Sequence, residues 1–247
     1  MGSKVLNATY KILHADNGNV QRNHCAEQIK DVLHKDYEPL NSPTVFLSTF
    51  DEANKYLENL PNLKFDTIPN YSDNGAPWPT SSGAMGIWIS TYLAFKKFLE
   101  SSKDILFIFE DDALISVNFI NVIEGYIKEL PEDWHFFTAF VPENCLSLYN
   151  SSHNIEGNEK ICKSYQDWSC AGYAISREGA RKTIEDIEAN KIGAPLDWYV
   201  LNVKHLGTEK TAFNTYAIKP AFYRPVRLAP VAAQSTVHDG ATEGWLR

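Results

Sequence analysis

The stretch Asp104-Ile105-Leu106-Phe107-Ile108-Phe109-Glu110-Asp111-Asp112 decides how this chain is read. Residues 105–109 form a continuous apolar run of strand length. Continuous rather than alternating apolarity suits a strand buried on both faces of a largely parallel sheet. The run stops abruptly at three acids. In open α/β sheets, ligands bind beyond the carboxyl ends of the strands, so position and chemistry coincide at this triplet.

Toward the N-terminus, Tyr10 to His14 reads as a strand. The Asp16-Asn17-Gly18-Asn19 turn then leads into a helical pattern from Gln21 to Leu33. Thr44 to Ser48 reads as a second strand, and Phe50 to Leu60 as a helix stopped by Pro61 and Asn62. Pro69 to Ser82, rich in proline, asparagine and glycine, predicts a long loop, and Gly83 to Ser101 a mostly buried helix. Toward the C-terminus, Val117 to Leu130 reads as a helix and Trp134 to Phe140 as a strand. Ser151 to Lys163 reads as a polar, exposed loop and Ser169 to Ser176 as a strand, with Ser176 capping a helix from Arg177 to Ala189. Past Lys219, prolines 220, 225 and 230 break any long element. This alternation predicts an α/β fold: one Rossmann-like domain over residues 1–230, with a central, mainly parallel sheet flanked by helices. Residues 231–247 are set apart as a tail.

The 247 residues are 44% hydrophobic and 13% aromatic, as in packed globular proteins and unlike disordered chains. A net charge of -8 supplies no basic field for phosphate backbones, so nucleic acid is not an expected partner. No run approaches the roughly 20 apolar residues of a membrane span. Met1-Gly2-Ser3-Lys4 precedes Asn7, Thr9 and Tyr10 rather than an apolar secretory core, so no signal peptide is expected. Cys25, Cys145, Cys162 and Cys170 lack metal-site spacing and read as reduced thiols in a cytoplasmic compartment. A Cys162–Cys170 bridge is the open alternative.

If the extended backbone persists through the triplet, Glu110 and Asp112 project to one side and Asp111 to the other. Carboxylates suit Mg²⁺ or Mn²⁺, which bridge a few protein acids to substrate phosphates. On the residues alone, a solvated turn or a cap for the next helix is an equally open reading. No phosphate-binding loop, dinucleotide fingerprint or serine-nucleophile elbow occurs.

Four segments together resemble glycosyltransferase family 25, the lipopolysaccharide- and collagen-modifying sugar transferases with a GT-A fold. They are Gly83-x-x-Gly86-x-x-x-Ser90, Phe107-Ile108-Phe109-Glu110-Asp111-Asp112-Ala113, Tyr173-Ala174-Ile175-Ser176-x-x-Gly179-Ala180 and Pro195-Leu196-Asp197-Trp198. They occur in the family's order and approximate spacing. The family's opening strand and arginine-bearing helix are matched only loosely by Ile12 to Leu33 with Arg22, and Thr91 stands where a histidine often follows Ser90.

The resemblance implies a GT-A-like, metal-dependent enzyme. It would move a hexose or pentose from a nucleotide-sugar, a UDP-sugar by family analogy, to a glycan hydroxyl with inversion. Asp112 and Glu110 would serve Mn²⁺ or Mg²⁺ and the donor diphosphate, with Asp111 at the donor ribose or sugar. Asp197 is the candidate general base, a cap for a helix from Trp198 to Val203 being the alternative. His238 is a candidate further metal ligand if the tail closes over the donor. His14, Ala15 and Asp16 are placed near the base or ribose and Arg22 near a phosphate, a satisfied structural histidine being the equal alternative for His14. Gly83 and Gly86, with Ser90, would allow close backbone approach of the donor or serve only helix packing. Trp168 and Trp198 would stack on an acceptor sugar or lie in the core. Two other readings stand beside this one: a metal-dependent phosphohydrolase, and a non-catalytic carbohydrate-binding protein on the same fold.

Overall fold

The computed structural model describes residues 6–14, 19–66, 78–79, 81–141, 151–164, 169–200 and 213–229. In chain order the elements are β1 (Ala8–Leu13), α1 (Val20–Leu33), β2 (Glu38–Pro39), α2 (Phe50–Leu57), α3 (Ser82–Glu100) and β3 (Ile105–Glu110). These are followed by β4 (Ala113–Ile115), α4 (Phe119–Ile127), β5 (Phe136–Thr138), β6 (Ile161–Lys163), β7 (Gly172–Ser176) and α5 (Arg177–Asn190). The last are α6 (Leu196–Val200), β8 (Thr215–Ile218) and β9 (Val226–Leu228).

Seven strands form one sheet in the order β2-β1-β3-β7-β5-β8-β6, and β4 pairs with β9 separately. β1 is parallel to β2 and β3, and β5 to β8. β7 runs against β3 and β5, and β6 against β8, so five of the seven strands share one direction. The α/β class and the mainly parallel central sheet are therefore as expected.

The β3 run is apolar throughout because both of its faces are covered. Leu106 and Ile108 enter a core with Trp88, Phe95 and Phe98 of α3 and Ile187 of α5. Ile105, Phe107 and Phe109 enter a second core with Ile29 and Leu33 of α1 and Phe119 of α4. Successive side chains of a strand point to opposite faces, so neither face leaves room for a polar residue. The helix starts follow their caps. Asn19, Thr49, Ser81 and Ser176 each accept backbone N–H groups from the first turn of α1, α2, α3 and α5.

Several expectations need correction. Residues 44–48 are not a strand. Val45 and Leu47 are buried and Phe46 is half exposed, so the alternation is there. However, the Val45 N–H is bonded by the Ser90 hydroxyl of α3 rather than by a neighbouring strand. Alternating burial arises here because an extended segment lies on a helix. Residues 161–163 are not exposed loop, because Ile161 and Cys162 are buried where β6 pairs with β8 at the sheet edge. β8, β4 and β9 were unanticipated. Cys25, Cys162 and Cys170 are free, which removes the Cys162–Cys170 bridge. Among the described residues no helix is long and apolar enough to cross a membrane. Most of the 69–82 loop and the whole 231–247 tail lie outside the described residues.

Candidate active site

The acids stand at the carboxyl end of β3, where the parallel neighbour β1 also ends, with Leu13 opposite Glu110. His14 leaves β1 at this point, and the first turn of α1 follows. The Asn19 side chain accepts from the N–H of Gln21 and Arg22, which fixes that turn and brings the Arg22 side chain to the triplet.

Extended backbone does not persist through the triplet. Asp111 and Asp112 form a turn into β4, anchored where the Ala229 N–H donates to the Asp112 carbonyl at 2.7 Å. The two aspartates consequently meet one guanidinium instead of facing opposite ways. Arg22 Nη1 donates to Asp111 Oδ1, and Nη2 lies 3.4 Å from Asp112 Oδ2. His14 Nδ1 is 2.9 Å from Asp111 Oδ2. Arg22 is 5% exposed and each aspartate 6%.

Asp197 comes to the same place from a distant part of the chain. Trp88 of α3 donates its indole N–H to the Ala194 carbonyl at 2.8 Å and packs edge-on against Tyr199, 5.2 Å between ring centroids. These contacts hold α6 against α3. Asp197 Oδ1 accepts from the N–H of Trp198 at 3.0 Å, and Oδ2 accepts from the N–H of Ser169 at 2.7 Å. Ser169 has φ +70°, a left-handed conformation uncommon outside glycine, asparagine and aspartate. Residues 169–171 run beside the triplet, since the Glu110 N–H donates to the Ala171 carbonyl.

The electrostatics record this crowding. Burial, and after it Asp112, Asp197 and Asp111, hold the Glu110 carboxyl well above the usual carboxylate range, against the opposing pull of Arg22. Burial also raises Asp112, with Arg22 opposing and Asp111 reinforcing the shift. Beneath the acids, burial raises the Cys170 thiol, with Asp197 and Glu110 adding to it. Among the described residues, Asp111 and Asp112 thus share the Arg22 guanidinium, whose charge also reaches Glu110, and His14 is bonded to Asp111.

The buried Asp112 Oδ1 has no hydrogen-bond partner among the described residues. A hard divalent ion would satisfy such an oxygen. Among the described residues no set of three His, Cys, Asp or Glu side chains is spaced to hold a metal ion by itself. The donor set therefore fits a cation that takes one or two protein oxygens and completes its shell with phosphate and water, as Mg²⁺ commonly does.

The other sequence candidates divide. Gly86 and Ser90 lie against the extended 44–48 segment: a Cβ at Gly86 would stand 2.7 Å from the Val45 carbonyl oxygen, and Ser90 Oγ donates to the Gly86 carbonyl while accepting from Val45 N–H. Gly83 lies at the start of α3. Trp198 packs against the core beside α3. Ala15, Asp16, Trp168 and His238 lie outside the described residues. Sequence reading missed Ser169, because nothing in a serine announces a left-handed backbone. It also missed the Arg22 pairing, which joins residues 89 positions apart.

The family model for glycosyltransferase family 25 (LPS biosynthesis protein) matches residues 7–200, well over half of the chain. Procollagen galactosyltransferase 1-B of Xenopus laevis is 22% identical over 178 residues, covering 70% of this chain and 29% of that protein. A glycosyltransferase 25 family member of Aedes aegypti is 19% identical over 171 residues, covering 69% and 28%. The chain spans less than a third of the length of these relatives. By the extent of the family match, the chain belongs to glycosyltransferase family 25.

Proposed function

We propose that the chain transfers a sugar from a nucleotide-sugar, most simply a UDP-sugar, to a glycan hydroxyl with inversion, and that it requires Mn²⁺ or Mg²⁺. The observation carrying this reading is the convergence of Asp197 on the acids ending β3, with Ser169 holding one of its oxygens and Glu110 as its electrostatic neighbour. A family name alone would not require these parts to meet.

Asp197 takes the proton from the acceptor hydroxyl. The acceptor oxygen bonds to the anomeric carbon as the bond from that carbon to the diphosphate breaks, and the nucleoside diphosphate leaves with the electron pair. Such a base contributes ~10²–10⁴ in rate. Its two backbone N–H bonds fix the carboxylate. Asp112, supported by Glu110, would hold the metal ion, which when bound supplies Lewis-acid stabilisation to the departing diphosphate. Electrostatics favour that assignment, since a cation beside the crowded acids would offset their repulsion of an anionic donor. The galactosyltransferase name of one relative makes UDP-galactose a natural first donor to try.

The test is nucleotide release from a panel of UDP-, GDP- and TDP-sugars with Mn²⁺, comparing the unaltered protein with Asp112→Ala and Asp197→Asn. Release from one donor, abolished by chelator and by Asp112→Ala, is expected. Silence across the panel, with no metal-dependent nucleotide binding by calorimetry, would replace this reading with a non-catalytic carbohydrate-binding protein.

A further inference from the structure

We propose that Arg22, with His14, is a positioning clamp that selects which aspartate oxygen faces the ligand, and that Asp111 belongs to the clamp. This rests on the reading of Asp112 as the metal-holding acid and deepens it.

The turn after β3 puts two successive carboxylates on one side, where like charges repel. The Arg22 fork lies between them, Nη1 on Asp111 Oδ1 and Nη2 on Asp112 Oδ2. A planar guanidinium holds two carboxylate oxygens in fixed relative position, which a lysine ammonium cannot do. His14 takes the second oxygen of Asp111, so both oxygens of that acid are engaged within the protein. What remains is Asp112 Oδ1, buried and without a partner among the described residues. The clamp thereby presents one oxygen to the ligand and withholds three. Arg22 itself is almost fully buried. It acts through the aspartates.

The test measures Mn²⁺ binding by the protein alone, without nucleotide, in an electron paramagnetic resonance titration. Thermal melts and circular dichroism verify that each variant is folded. The variants are Arg22→Lys, which keeps the charge and loses the fork, Asp111→Asn, and the two combined. Residues orienting a metal ligand typically alter metal affinity 10–100-fold, so each single change is expected to weaken Mn²⁺ binding by roughly that factor. Because both changes disrupt one clamp, the double variant is expected to bind about as weakly as the worse single one. Unaltered Mn²⁺ affinity in folded Arg22→Lys, or losses that multiply in the double variant, would overturn the clamp while leaving the active-site reading intact. If the unaltered protein binds Mn²⁺ only with UDP present, the same variants are compared with UDP; if it binds no Mn²⁺ even then, the active-site reading fails and the clamp with it. Should Arg22→Lys fail to fold, His14→Gln with Asp111→Asn makes the same comparison. There, losses that do not multiply support the clamp, and unchanged affinity in both refutes it.

Discussion

Two arginines mark opposite ends of the central sheet, and they are satisfied differently. Arg177 opens α5 where β7 ends, beside the start of β3, since Ser176 pairs with Ile105. Its Nη1 donates to the carbonyls of Phe98 (3.3 Å), Ser101 (2.8 Å) and Lys103 (2.8 Å), and Nη2 donates to Leu99 (2.7 Å). The guanidinium also lies 5.5 Å from the Phe98 ring centroid. Every acceptor there is a neutral carbonyl, in the last turn of α3 or just past it. Arg22, at the other end, meets two carboxylates with Glu110 close enough to feel its charge, and Asp112 Oδ1 has no partner among the described residues. One end is balanced and serves stability. The other is overloaded with negative charge, an arrangement expected where a protein has kept a ligand site at the expense of folding free energy.

The largest effects should fall at the overloaded end and appear in rate rather than stability. Asp112→Ala is expected to lower nucleotide release by more than about 10³-fold, as loss of several kcal/mol of charge stabilisation requires. Asp197→Asn should lower it ~10²–10⁴-fold. Asp112→Ala removes one acid from a repelling group, so its melting temperature should hold or rise, whereas Asp197→Asn keeps one acceptor for two backbone N–H groups and should lose about 1–3 kcal/mol. If Asp112→Ala melts well below the unaltered protein, that acid is structural and the comparison collapses.

Arg177→Ala should show the inverse. Losing charged hydrogen bonds to several carbonyls should cost about 2–4 kcal/mol in denaturant titrations. Nucleotide release per folded molecule should change no more than a few-fold. Arg177→Lys should recover only part of the loss, because an ammonium cannot span the same acceptors. A rate loss in folded Arg177→Ala comparable to that of Asp197→Asn would show that the two ends are not separable.

Gly179→Ala probes the balanced end more locally. A Cβ at Gly179 would stand 2.6 Å from the His135 carbonyl oxygen, too close without shifting α5 or β5. A cost of about 1–3 kcal/mol is expected from the forced backbone movement. Rate should be retained, and a stability loss below measurement would mean α5 adjusts freely and is not a rigid boundary of the sheet.

The same two ends differ in how far sequence reveals them. β3 and its acids are legible because composition states the case: five apolar residues need two covered faces, and three acids end the burial. The caps Asn19, Thr49, Ser81 and Ser176 are legible because capping is local. The direction of β7 is not, since the same five residues can pair parallel or antiparallel, and which occurs depends on how the chain returns to the sheet. β6 was hidden because two buried residues, Ile161 and Cys162, sit among polar neighbours at an edge. At the site, the acids announce themselves but their partners do not. Arg22 and Asp111 are brought together by the parallel pairing of β1 with β3 and by Gln28 of α1 bonding Ile115 of β4. Ser169 reaches Asp197 through a backbone conformation that its residue type does not encode.

The smallest expected effect is a pH dependence at the balanced end, and its sign follows from one hydrogen bond. His135 is buried beside Gly179, and its Nδ1 accepts from the Asn214 N–H at 2.9 Å. An imidazolium has no lone pair for that bond, so the folded protein favours the neutral ring with its proton on Nε2. Burial lowers the His135 pKa, and Lys182 lowers it further, while Glu178 and Asp133 oppose. The unfolded chain therefore binds the proton more readily than the folded one. Stability is complete above the unfolded value of about 6.5 and declines as pH falls from there toward the lower folded value. In urea titrations at pH 7.5 and 5.5, this group should account for a loss of about 1 kcal/mol. His135→Gln, which cannot titrate, should lose less on acidification even if it begins less stable. An equal acid loss in the variant would move the pH sensitivity to other groups, though not to Glu110 and Asp112 at the far end of the sheet, whose raised folded values make acidification stabilising there.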